Sequence, residues 1–257
     1  MFFKYRYKHP LDSPERTLEH KEVIRSKHFL RELYREWYGY FIAEVNRNPE
    51  GKFVELGAGG GFLKEIEPKI ICSDILKLPE NDLSFSALEM PFDDNSLDGI
   101  FMIDTFHHIP DSEKFLNEAR RTLKNRGKII MVEPANSLWS RLIYNNLHHE
   151  PFNPEGGWSF PQEGPLSGAN GALPWIVFER DRSLFDTKFP HLEIKEIKYH
   201  TPFRYLISGG LSFRQPVPDF SYPFFKFLDK SLSRLTKEFS MFVTIKLEVN
   251  KSSGTTF

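Results

Sequence analysis

Residues 53–61 read Phe-Val-Glu-Leu-Gly-Ala-Gly-Gly-Gly, and the expected fold follows from this stretch. Phe53-Val54-Glu55-Leu56 is a short apolar run with the length and side chains of a strand. It leads straight into Gly57-Ala58-Gly59-Gly60-Gly61. Glycines at such a junction let the backbone turn sharply and pass close to a ligand beside a helix N-terminus. Several nucleotide-binding folds share a loop of this kind, so the details matter. The spacing is GxGxG, whereas a dinucleotide-type GxGxxG needs a glycine at 62, where Phe62 stands. Glu55 sits two positions before the first glycine. A carboxylate there crowds a pyrophosphate but suits a cationic ligand.

Downstream, residues 62–66 form a short helix and 69–73 a second strand ending at Asp74. Strands follow at 83–87 and 97–103. Asp111-Ser112 caps a helix whose Phe115, Leu116, Ala119 and Leu123 share a face; it closes at Asn125-Arg126-Gly127, and 128–132 make a fifth strand. Strands alternating with helices imply parallel pairing through right-handed crossovers. Upstream, Ser13-Pro14 starts a helix. Phe29, Leu30, Leu33, Tyr34, Trp37, Tyr38, Phe41, Ile42 and Val45 then recur at helical spacing until Asn48-Pro49-Glu50-Gly51. Residues 135–190 break the rhythm: a helix over 137–147 precedes a stretch, 151–174, rich in glycine, proline and aromatics. A long connection of this composition is functional rather than disordered. A strand at 191–199, a helix at 224–239 and a strand at 241–249 complete the pattern.

The expected fold is therefore α/β: a Rossmann-like, mostly parallel seven-stranded sheet with helices on both faces, N-terminal helices, and an insertion after the fifth strand. The last strand is expected antiparallel, added by a late hairpin. The chain divides into an N-terminal helical cap (1–50), a cofactor-binding core (51–134), an insertion or lid (135–190) and a C-terminal completion of the sheet (191–257).

Further motifs lie in order along the core. Residues 86–98 read Ser-Ala-Leu-Glu-Met-Pro-Phe-Asp-Asp-Asn-Ser-Leu-Asp, 104–111 read Asp-Thr-Phe-His-His-Ile-Pro-Asp, and 117–127 read Asn-Glu-Ala-Arg-Arg-Thr-Leu-Lys-Asn-Arg-Gly. With the glycine loop, these resemble the class I S-adenosylmethionine-dependent methyltransferases, in particular the small-molecule branch that includes the quinone-biosynthesis C-methyltransferases. The resemblance covers 52–134. It implies S-adenosylmethionine as cofactor, with Glu55, Gly57, Ala58, Gly59 and Gly61 around its methionine part. It further implies Asp74 on the ribose hydroxyls, Ala87 and Leu88 facing adenine, and Asp104 at the cofactor. Ser86 stands where the family carries aspartate, and Asn125-Arg126 where it carries Pro-Gly.

Composition narrows the function. The 257 residues are 40% hydrophobic, enough for one large domain or a domain with an insertion. Thirty-four basic and 35 acidic residues give a net charge of -1, without the basic surplus of nucleic-acid binders. The turn at 104–107 also lacks the Asn-Pro-Pro-Tyr-like tetrapeptide of enzymes that methylate base amines. No nucleic-acid partner is expected. A single cysteine, Cys72, excludes an intrachain disulfide, a four-cysteine zinc site and an iron–sulfur cluster. No apolar run approaches the roughly 18 residues of a spanning helix, and the first eight residues do not read as a signal peptide. A cytoplasmic protein is expected, with peripheral membrane contact left open.

Twenty-five phenylalanines and an aromatic content of 15% fit either core filling or an aromatic pocket. Trp139, Tyr144, Phe152, Trp158, Phe160 and Trp175 concentrate in the insertion. They suggest a lid over a small apolar, aromatic or lipid-linked acceptor, methylated at carbon or oxygen. Such acceptors need a base, for which His107 and His108 are the candidates; the competing role is to stabilise the turn or pack the cofactor. Glu133 faces either the acceptor or solvent. His148-His149-Glu150 has metal-ligand types, but consecutive helical histidines point about 100° apart, so no metal is expected. Two other classes share parts of this pattern. A nicotinamide-dependent oxidoreductase has the loop and an acid like Asp74, and a catalytically idle cofactor-binding module has the whole set.

Overall fold

The computed structural model describes residues 4–147, 150–161 and 163–251. Helix α1 (Pro14–Ser26) begins where the Ser13 hydroxyl accepts the N–H of Arg16 with Pro14 in the first turn. α2 (His28–Arg47) buries the aromatic and aliphatic face expected of it. The core alternates β1 (Phe53–Leu56), α3 (Leu63–Ile66), β2 (Ile71–Asp74), β3 (Leu83–Ser84), β4 (Leu97–Ile103), a 3-10 turn (Phe106–His108), α4 (Ser112–Thr122) and β5 (Leu123–Pro134). There follow α5 (Leu138–Leu147), α6 (Leu173–Trp175) running into a π-helical turn (Ile176–Arg180), and α7 (Arg182–Lys188). β6 (Leu192–His200), α8 (Arg204–Ser208), α9 (Tyr222–Leu235) and β7 (Phe242–Val249) complete the described chain.

The seven strands form one sheet in the order β3-β2-β1-β4-β5-β7-β6. The first five are parallel, and β7 runs antiparallel to both β5 and β6. The α/β, mostly parallel expectation holds. The last strand differs from a simple hairpin addition: it inserts between β5 and β6, and residues 201–241, which carry α8 and α9, make the connection.

Side chains alternate across this sheet as strand geometry requires. Val54, Leu56, Ile100, Met102, Ile129 and Met131 face α4 and the 173–189 helices. Phe53, Phe101, Ile103, Ile130 and Val132 face α2, where Phe41 stacks on Phe101 at a 4.6 Å centroid distance. Burying both faces explains the near-continuous apolar strands. Two boundaries moved for local reasons. β3 stops at Ser84 because the Ser86 hydroxyl takes the Leu88 N–H and turns the chain away. β5 begins at Leu123, paired with Leu97, before a register shift at 124–127 that includes Arg126 at φ 67°.

The aromatics of 135–190 do not form one lid. Trp158 stacks on Phe189 and donates its indole N–H to Asp181 (2.8 Å), on the α4 side. Phe152 stacks on Tyr144 on the α2 side, and Trp175 lies under the Arg141 guanidinium. The segment is stitched to the core through backbone bonds from Phe160 to Pro110, Ser112 to Trp158 and Asn170 to His107.

Candidate functional site

β1 lies between β2 and β4, so the chain leaves the two halves of the sheet in opposite directions. Such switch points leave a crevice at the strands' carboxyl ends. Here a cavity of about 810 Å³ occupies it. Glu55, Gly57, Ala58, Gly59, Gly61, Asp74, Ala87, Leu88, Asp104, His107 and His108 all line it.

The glycine loop is tight. Gly57 has φ 64°, and a Cβ there would stand 2.3 Å from the Thr105 hydroxyl; one on Gly61 would meet the Tyr38 hydroxyl at 2.3 Å. Asp74, at the end of β2, accepts the N–H groups of Gly59 (3.1 Å) and Leu76 (2.8 Å). Its carboxylate is thereby fixed beside the loop, while burial raises its pKa.

Glu55 breaks the strand pattern. Alternation puts it on the α2 side with Phe53, where an apolar residue would be ordinary. It is 3% exposed, and Cys72 Sγ–H donates to it at 3.5 Å. Among the described residues no basic side chain pairs with it. Burial pushes its pKa up to about 8. A buried carboxylate without a counter-charge is costly, and this one borders a cavity.

Beyond the loop, a buried polar cluster forms where β4 and β5 end. Asp104 adopts φ 52°; burial lifts its pKa to about 7, with His107 opposing and Glu133 and Glu150 adding to the rise. Glu133 is fully buried and does not line the cavity, contrary to both sequence expectations. Its carboxylate takes the backbone N–H groups of Thr105 (3.0 Å) and Phe106 (2.7 Å) and the His107 Nδ1 (2.7 Å). It caps the 3-10 turn and orients His107. His107 Nε2 reaches Glu150 at 3.3 Å. Burial opposes its charge, but the bonds to Glu133 and Glu150 outweigh it and hold the imidazole well above its ordinary pKa. His108 is the opposite case. Burial, and then the charge on His107, lower it to about 4. Its Nδ1 lies 3.0 Å from the Gly168 carbonyl, which only accepts, so Nδ1 carries the proton and Nε2 keeps its lone pair.

Sequence reasoning missed several lining residues. Glu150 converges with His107 and His108 so that all three ligand-type atoms lie within 4.8 Å of one another. In sequence it stands beside His148 and His149, which lie outside the described residues. Tyr34 and Tyr38 from α2, the N-terminal Tyr5, Tyr7 and Thr17, and the 205–213 turn also line the cavity. For the tyrosines a signal existed: two hydroxyls four residues apart on the buried face of a helix. From the insertion only Trp139, Tyr144 and Phe160 among the six aromatics reach the cavity.

Comparison with known proteins places residues 54–131 in the family described as a methyltransferase domain. An uncharacterized protein of Methanocaldococcus jannaschii is 38% identical over 80 residues, which are 30% of this chain and 35% of that protein. The chain thus spans about a third of that relative's length. Similar solved structures include an S-adenosylmethionine-dependent methyltransferase of Thermotoga maritima (17% identity, 89% of this chain and 99% of that one, TM-score 0.47). Another is the geranyl diphosphate C-methyltransferase of Streptomyces coelicolor (11% identity, 94% and 86%, TM-score 0.48).

Proposed function

From the class I S-adenosylmethionine-dependent methyltransferase domain that the chain carries over residues 54–131, we propose that the protein transfers a methyl group to a small apolar or aromatic acceptor, at carbon or oxygen. The observation that carries this reading is Glu55. A carboxylate buried at the cavity edge, lacking a basic partner and raised to about 8, suits a ligand bearing positive charge. A nicotinamide cofactor would bring pyrophosphate to the same loop, which Glu55 disfavours.

The residues present fit S-adenosylmethionine. Gly57 to Gly61 give the close backbone approach, Asp74 offers a fixed carboxylate for ribose hydroxyls, and Ala87 and Leu88 give an apolar wall for adenine. The cofactor when bound supplies an electrophilic methyl on a sulfonium, a good leaving group. The chain's own task is to align the acceptor and exclude water. The same cavity is lined by His108, Trp139 and Phe160 as well as by the glycine loop, and room beyond a cofactor favours an enzyme over an idle binding module.

The two histidines divide the proton chemistry. His108, neutral with a free Nε2 lone pair, takes the acceptor proton, and Glu150, 3.8 Å away, stabilises the charge that forms. His107, held between Glu133 and Glu150, is a positioning residue. The test is calorimetry with S-adenosylmethionine, S-adenosylhomocysteine and NADH, followed by a labelled-methyl screen against small-molecule acceptors. Tight NADH binding without S-adenosylmethionine binding overturns the reading. His108→Asn should abolish transfer while cofactor affinity stays; full transfer in that variant removes His108 as base.

A further inference from the structure

Helix α9 packs one face on the fold, and among the described residues its other, apolar face stays exposed. On the inner side Asp229 accepts the Phe203 N–H (2.8 Å) and Arg204 Nε (2.7 Å), while Arg204 also bonds Glu36 and Tyr222. This network anchors the helix. On the outer side Phe220, Phe224, Phe227 and Leu235 are 85%, 60%, 67% and 78% exposed. At 3.6 residues per turn Phe224, Phe227 and Leu235 share a face with Lys230 and Arg234, both exposed, and Phe220 lies on the 3-10 turn just before the helix. The apolar surface continues onto α5. Leu138 N–H donates to Glu238 (3.0 Å) and the Ser137 hydroxyl to the Ser240 carbonyl (2.7 Å). These bonds bring Leu138 and Leu142, 70% and 55% exposed, beside the 3-10 turn Lys237–Phe239 that follows α9. Single exposed apolar residues are ordinary, but a run of them along one surface marks an interaction site.

We propose that this face docks on the surface of an anionic lipid bilayer. Phenylalanines and leucines interspersed with lysine and arginine suit the boundary between acyl chains and anionic headgroups. The acid of the helix, Asp229, is turned inward and spent on Arg204. A second copy of the chain fits less well. An isologous contact brings the same patch against itself, setting Lys230 and Arg234 against their own like charges. α5 belongs to both the patch and the site: Leu138 and Leu142 point outward while Trp139, Ile143 and Tyr144 line the cavity. Resting on the methyltransferase reading, this connects the site with an acceptor that partitions into lipid. The docking itself is independent of that reading.

The experiment is co-sedimentation of the full chain with phosphatidylcholine vesicles, with and without phosphatidylglycerol. Binding is expected to the anionic vesicles, weakened by high salt. Lys230→Gln with Arg234→Gln should reduce partitioning about 25-fold, roughly fivefold per charge. Phe224→Ser with Phe227→Ser should reduce it as strongly or more, and Ile66→Ser, exposed on α3 and outside this patch, should not. These positions are exposed, so unchanged melting and cofactor affinity certify the variants; that affinity is also the readout of the site reading, which can fail separately. Absence of partitioning to either vesicle overturns the proposal. So does a dimer that the double phenylalanine variant converts to a monomer without any change in vesicle binding.

Discussion

Replacing Glu55 by glutamine should strengthen the fold and weaken cofactor binding, and both effects should grow as pH rises. Glu55 has a folded pKa of about 8 against an ordinary 4.5, because it is buried. Between those values the folded protein holds a proton that the unfolded chain has released. Stability is therefore fully present below about 4.5 and declines as pH rises towards 8. A shift of this size corresponds to about 5 kcal/mol at alkaline pH. Glutamine removes that loss while keeping an oxygen for the Cys72 thiol. Binding behaves differently. A positive charge on the order of 5 Å from the carboxylate, at an effective dielectric of about 20, gains about 3 kcal/mol. At pH 7 ionising Glu55 first costs about 1.4 kcal/mol, leaving a net of about 2 kcal/mol, or about 30-fold in affinity. Calorimetry at pH 7 and 9 and thermal melts across pH 5 to 9 measure both effects. The E55Q variant should lose more affinity at pH 9 than at pH 7, and should melt higher than the parent by a margin that widens from pH 5 to about 8 and then levels off. Equal affinities at pH 9 together with superimposable melting profiles would refute the argument.

Other expectations follow from the same geometry. Asp74→Ala should weaken S-adenosylmethionine binding by about 1–3 kcal/mol, since it removes the carboxylate fixed by Gly59 and Leu76; calorimetry on the folded variant reads this directly. His200 sits between the hydroxyls of Thr201 and Thr244, and burial, then Lys198 and Arg204, lower its pKa to about 3. Its contribution to stability is present above about 6.5 and lost as pH falls towards 3, so His200→Gln should flatten the acid side of a melting-temperature profile. Trp158→Ala should cost roughly 2–4 kcal/mol by freeing Phe189 and Asp181. Cofactor affinity in that variant should stay unchanged at temperatures well below the melt, because Trp158 does not line the cavity.

Much of this arrangement is local, and the local part was legible. Strands β1 and β4 have the bounds their apolar runs give, and Asp111 caps α4 as its position suggests. The glycine loop, Glu55 and Asp74 line one cavity at the strands' carboxyl ends, and loop chemistry of that kind is written in residues close together in sequence. Glu133 was misplaced because its partners are backbone N–H groups 26 to 28 residues earlier, and no pattern announces that. Glu150 was missed for a similar reason: its companions are His107 and His108, not its neighbours in sequence. The aromatics of the insertion look alike in sequence, yet packing sends Trp158 and Tyr144 to opposite faces. The position of β7 depends on pairing with strands on both sides, which its own residues do not encode.

That position also orders the birth of the molecule. β5 is the longest described strand, and one of its edges is covered by residues 242–249. A ribosome that has released everything up to α9 holds a chain whose parallel half can pair, but whose β5 and β6 each present an unsatisfied ladder. Exposed, apolar strand edges invite pairing with other chains. The nascent protein is most vulnerable to aggregation in that interval, and a chaperone would find its grip there.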